Sequence, residues 1–123
     1  MNPYTDARAQ LVLAFSAAGV SAYGYTPPTL VPPIVTITPG RSWIEPNRIG
    51  CLDAKLELTA TAYVSLIDPS TATDALEELL SKLLHATPAG FLIDSIDAPR
   101  IDSTSSQGDL LASDIQLIAQ VKE

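Results

Sequence analysis

Reactive side chains are scarce in this 123-residue chain. It has one cysteine, Cys51, and one histidine, His85. A disulfide framework needs paired cysteines, and a zinc cluster needs three or four Cys or His ligands, so both are excluded. Basic residues are also few. Seven Lys and Arg stand against fourteen Asp and Glu, which gives a net charge of −7. Such a chain repels a polyanion and cannot wrap nucleic acid by neutralising its phosphates. Charged residues make up only 17% of the chain, but the hydrophobic share of 46% is normal for a globular domain and argues against disorder over the whole length. One domain spanning residues 1–123 is expected, long enough to bury one core.

Charge is missing altogether between Arg8 and Arg41. This stretch is interrupted by Gly19, Gly24, Pro27, Pro28, Pro32, Pro33 and Pro39. No apolar run in it reaches the ~20 residues that span a bilayer, so no membrane partner is expected. A secretory leader is the closer rival, with Leu11 to Val20 as its apolar region and Val20-Ser21-Ala22 as a cleavage site. Asp6 beside Arg8 spoils the basic start of such a leader, and Gln10 and Ser16 interrupt its apolar run. An ordinary N-terminal helix is the better reading.

Asn2-Pro3 reads as a cap followed by a first-turn proline, with Thr5 as a second possible cap. Ala7, Leu11, Ala14, Phe15 and Ala18 then share one helical face, and Gly19 supplies the stop. Val20 to Tyr25 reads as a short strand. Residues 27–46 hold six of the ten prolines, so the region 27–50 is expected to be a proline-rich edge, arm or loop. Within it Ile34 to Thr38 reads as a strand, and Arg41 to Cys51 as a long loop carrying Trp43 and Pro46.

The clearest signal follows. Leu52, Ala54, Leu56, Leu58, Ala60, Ala62, Val64 and Leu66 alternate with residues that are polar except for Tyr63 and Ile67. That period of two predicts a half-buried antiparallel strand. At ~3.3 Å per residue it would reach about 50 Å, more than the roughly 35 Å diameter of so small a domain. The strand must therefore bend, break at a bulge or protrude. Asp68-Pro69 then caps a helix with Leu76, Leu79, Leu80, Leu83 and Leu84 in one stripe, closed by Pro88 and Gly90. Phe91 to Ala98 reads as a strand, Asp102 to Asp109 as a polar turn, and Leu111 to Val121 as a final strand. The fold class is α+β: a mostly antiparallel sheet of four to five strands with two helices on one face.

Catalytic constellations are hard to find. Cys51 and His85 could in principle serve acyl transfer, but no motif joins them. Cys51 borders a strand as a small hydrophobe, and His85 sits on a polar helix face where it suits the dipole. Asp94, Asp97 and Asp102 lie near a polar turn, which lacks the ligand spacing of a calcium loop. There is no glycine-rich phosphate loop, nucleophile elbow or HExxH. The expectation is a protein without enzymatic activity, cofactor or metal. Trp43 and Pro46 in the loop, and Tyr63 and Ile67 on the polar face of the long strand, are instead candidates for protein contacts. For Trp43 the alternative is that it folds back over the core.

The order of features resembles the tail terminator proteins of long-tailed bacteriophages. The features are the Ala/Leu-rich helix ending at Gly19-Val20, then Tyr23-Gly24-Tyr25, then Pro32-Pro33-Ile34-Val35-Thr36-Ile37. A loop, the long alternating strand to Asp68, the Leu-rich helix after Pro69 and Gly108-Asp109-Leu110-Leu111-Ala112 complete the pattern. The resemblance implies a structural virion protein of the tail or neck, present in host cytoplasm during assembly. It implies a ring of six copies that caps the tail tube, stops its growth and joins the head/neck connector. DNA would pass through without specific binding. On that reading Asp94, Asp97 and Asp102 line the lumen, and the loop with Trp43 meets the tube protein. Another neck or tail-completion protein, or a small non-viral enzyme or ligand-binding domain, is the alternative.

Overall fold

A computed structural model describes residues 3–25, 33–46, 53–102 and 109–122. The element order is α1 (Pro3–Ala17), β1 (Ala22–Tyr23), β2 (Ile34–Pro46), β3 (Asp53–Ser65), α2 (Pro69–Ala86), β4 (Phe91–Ile96), β5 (Arg100–Asp102) and β6 (Leu110–Lys122). The sheet runs β1-β2-β3-β6-β4, with β5 also pairing β6. All pairings are antiparallel except β1 with β2. The α+β class is as expected. The described strands number six, above the expected four to five. The extra one arises where the edge strand breaks around Pro99, which has no N–H to give the ladder, and resumes as β5.

Both helices end on local signals. At the end of α1 the Val20 N–H bonds the Phe15 carbonyl at 3.2 Å and the Gly19 N–H bonds that of Ser16 at 3.0 Å. Gly19 has φ +87°, and this bond pair is the one that a left-handed residue after a helix permits. At the start of α2 the Asp68 carboxylate accepts from the Thr71 N–H at 3.3 Å and from its hydroxyl at 2.8 Å. That satisfies one of the donors a helix start leaves open. Thr87 Oγ1 donates to the Leu83 carbonyl at the other end.

The alternation seen in the sequence sets the layers. Leu56, Leu58, Ala60, Ala62 and Val64 of β3 face the helices, joined by Val35 and Ile37 of β2 and by Leu111, Ile115 and Leu117 of β6. Leu11 and Phe15 of α1 and Ala72, Leu76, Leu79 and Leu83 of α2 close the same core. Burying each such large side chain contributes roughly 1.5–3 kcal/mol. The two helices therefore cover one face, as expected. On the opposite face Ile34, Tyr63, Leu110 and Ala112 form a smaller cluster of their own.

The problem of the long strand is resolved in its neighbour. β3 keeps an unbroken register with β6 over 13 pairs, Asp53 with Lys122 through Ser65 with Leu110. The irregularity lies in β2, whose register jumps from Pro39 opposite Leu58 to Ile44 opposite Leu56. Residues 40–43 bulge out against Glu57. Gly40 makes this possible, since a Cβ there would stand 2.6 Å from Glu57 Cγ and 3.0 Å from its carbonyl oxygen. Arg41 to Pro46 is thus strand and not the expected loop. The prolines are tolerated because of where they fall. Residues 47–52, the rest of that expected loop, lie outside the described residues, as do 26–32.

Candidate assembly surfaces

Backbone hydrogen bonds fix which way each strand points its donors. Leu66 N–H reaches the Asp109 carbonyl, so even residues of β3 point to β6 and odd ones to β2. Val35 N–H reaches Ser21 on the far side, so odd residues at the start of β2 point outward. Pro39 has the same parity as Val35 and pairs Leu58, so its missing N–H falls on the outer edge. Beyond the bulge Glu45 pairs odd Lys55, and the next residue, Pro46, again turns its nitrogen outward. Neither proline costs the sheet a hydrogen bond. Together with the bulge they also deny that edge to any strand seeking to extend it.

The flank beyond this edge is aromatic. Tyr23 and Tyr25 are exposed and meet edge to face, with ring centroids 5.9 Å apart. Trp43, on the bulge, is 48% exposed. It lines a small cavity together with Tyr4, Arg8 and Pro39, so one part of it faces α1 and the rest faces solvent. Trp43 is thus partly folded back beside α1 and partly exposed. The Arg8 side chain lines that cavity and also lies against Gly24, where an added Cβ would be 3.5 Å from its Cδ and Nε. Arg8 thus lies beside Gly24 and beside the cavity that Trp43 lines. Arg8, Tyr23 and Tyr25 are not among the contact residues expected from the sequence. Tyr-Gly-Tyr inside an uncharged stretch was the available signal.

The opposite flank, β4 and β5, is aliphatic and acidic. Leu92, Ile96 and Ile101 are exposed, as are Asp94 and Asp97, while Asp102 is half-buried. The three acids expected at a lumen are thus brought together along one edge of the sheet. The edge is fastened by polar contacts. The Asp97 N–H bonds the Asp114 carbonyl at 2.8 Å, and Ser113 Oγ donates to the Asp97 carbonyl at 2.8 Å. Arg100 Nη1 lies 2.8 Å from Asp114 Oδ2, and Thr61 Oγ1 donates to Asp114 Oδ1 at 2.8 Å. The hydrogen bond to Asp114 strengthens the hold of Arg100 on its proton.

Tyr63 requires a correction as a contact residue. It is only 7% exposed and packs with Ile34, Leu110 and Ala112. Alternation placed it correctly on the face away from the helices, but that face is locally covered. Burial pushes its phenol pKa above 10, nearby Asp102 adds to the rise, and a hydrogen bond with Thr36 opposes it. Ile67, by contrast, is 93% exposed. It stands at the rim of a cleft of about 590 Å³ floored by Val64, Ala72, Ala75 and Leu79. His85 does not line that cleft; its Nδ1 donates to the Ser81 carbonyl of its own helix at 2.7 Å. Cys51 and residues 103–108 of the acidic turn lie outside the described residues, as does the Pro46 side chain.

Among the described residues no three His, Cys, Asp or Glu side chains are grouped to hold a metal ion. No described helix is long and apolar enough to cross a membrane. No family model matches the sequence, and no curated protein is detectably similar to it.

Proposed function

We propose that this chain is a structural subunit that closes into a ring, in the manner of the tail terminators it resembles. One observation carries the reading: a single sheet bears two chemically unlike contact flanks at its opposite edges. A closed ring needs such a pair, because each copy must offer one patch forward and a different one back. The function that follows is to cap a phage tail tube as a hexamer, end its polymerisation and seat the head/neck connector, with residence in the virion. The net charge of −7 suits a passage for DNA, since a wall of like charge does not grip phosphate. No catalytic group or cofactor enters this function.

The test has two parts. Light scattering after size exclusion, with negative-stain microscopy, is expected to show rings with the mass of six chains. Added to polymerising tube protein, the chain is expected to stop growth and sit at tube ends. Tubes that lengthen unchecked in its presence would refute capping. If the chain instead sits elsewhere on the particle, the neighbouring reading of a neck or tail-completion protein takes its place.

The cleft beside Ile67 supports a second reading, a ligand-binding domain. Its size and apolar floor fall in the range that small molecules use. A panel of small apolar compounds at 100 times a fitted Kd should then raise stability by about 2.7 kcal/mol. No shift across the panel removes this reading.

A further inference from the structure

We infer that successive copies meet flank to flank, with Arg8, Tyr23, Tyr25 and Trp43 of one copy on Ile96, Ile101, Asp94 and Asp97 of the next. This rests on the ring reading and names the surfaces that close it. Chemical complementarity selects the pairing. The first flank carries Trp, Tyr and Arg, the residue types that dominate binding hot spots, with Arg8 placed beside both Gly24 and the Trp43 cavity. The second carries exposed aliphatic side chains for the rings and two exposed carboxylates for the guanidinium. Like flanks do not suit each other. Two such edges repel when paired, since their acids outnumber Arg100, which is already held by Asp114, and two aromatic edges leave Arg8 facing Arg8.

The contact is made by side chains and not by joining the sheets. Pro39 and Pro46 withhold their donors at the outer edge of β2, and the bulge at residues 40–43 breaks the run of β2 that a neighbour's strand would follow. The second flank is broken in matching fashion. Its register shifts at Asp94, between Ile93 and Ser95, and the strand stops around Pro99. A side-chain contact can stop at one neighbour and fix an angle, whereas open edges would add strands without limit. On this arrangement the acids of β4 serve the seam between copies, not the pore wall expected from the sequence.

The experiment uses two variants of the full chain. The first, R8E with W43S, disables the aromatic flank. The second, D97K with I101S, disables the acidic flank. All four side chains are at least partly exposed, and circular dichroism checks that each variant folds. Each variant alone is expected to stay monomeric in light scattering, with self-association at least about tenfold weaker than the parent. Mixed, they are expected to associate at least about tenfold more strongly than either does alone, because each retains the flank the other lacks. R8E combined with D97K in one chain, with no other change, should recover part of the parent's association. Where W43S impairs folding, R8E alone replaces the first variant. Rings that persist in both single-flank variants overturn the flank assignment and leave the ring reading standing. A parent chain that forms no ring, with no association in the mixture, overturns both.

Discussion

Replacing Gly40 by Ala probes the bulge that carries Trp43. The new Cβ would lie 2.6 Å from Glu57 Cγ, 3.0 Å from its carbonyl oxygen and 3.1 Å from its carbonyl carbon. Glu57 Cγ can swing aside, but the β3 backbone cannot, since it is held in the 13-pair ladder with β6. The bulge must therefore move, at a cost of about 1–3 kcal/mol, as for other overpacked sites. Unfolding entropy of roughly 2.1 cal/mol/K per residue gives about 0.26 kcal/mol/K for this chain. The melting temperature should then fall by about 4–12 °C, read by calorimetry. Glu57→Ala in the same background should restore only part of it, because the backbone contact remains. Trp43 fluorescence should shift, as the indole leaves its place beside Tyr4 and Arg8. A Gly40→Ala melting point within 1 °C of the parent, or full rescue by Glu57→Ala, would refute the argument that backbone contact dictates glycine here.

Phe15→Ala and Leu83→Ala remove fully buried side chains from the core. Each should cost about 2–5 kcal/mol in urea unfolding. Asp68→Ala removes the cap of α2 and should cost about 1 kcal/mol by the same measurement. Tyr63 titrates above its ordinary value in the folded state, so folding favours its protonated form. That contribution is complete below about pH 10 and is lost as pH rises through the folded pKa. Alkaline unfolding should therefore steepen above pH 10, and Tyr63→Phe should flatten the curve there. Arg100 is 49% exposed, so Arg100→Ala should cost under about 1 kcal/mol. Its visible effect should be faster amide exchange across residues 100–102.

Elements with a sustained period were legible from the sequence. The alternation from Leu56 to Val64 and the leucine stripe of α2 each repeat often enough to fix a face, and Gly19 and Pro69 mark ends by local backbone chemistry. The second half of β2 was hidden for a different reason. Pro39, Gly40 and Pro46 are loop residues by every local rule, and only their pairing shows that their missing donors and side chain fall where nothing needs them. Tyr63 was assigned to the right face of the sheet but to the wrong degree of exposure, because alternation gives direction and not coverage. Individual members of the two flanks were legible, but not their grouping. Arg8, Tyr23 and Trp43 lie far apart in sequence, and only the parallel pairing of β1 on β2 and the packing of α1 gather them.

The central ladder also dictates an order of events. Its partners are distant along the chain: the nearest pair, Ser65 with Leu110, encloses roughly 45 residues. That loop must close before β3 and β6 can zip, which makes this a slow, non-local step. β4 and β5 pair with no described strand except β6. The aliphatic and acidic edge therefore cannot exist until β6 is in place, whereas the aromatic edge needs only α1, β1 and the hairpin of β2 with β3. A partly folded copy displays one of the two surfaces and lacks the other. On the proposed ring, such a copy could attach to a finished neighbour but would offer nothing for the next copy, so only completely folded chains would continue the ring.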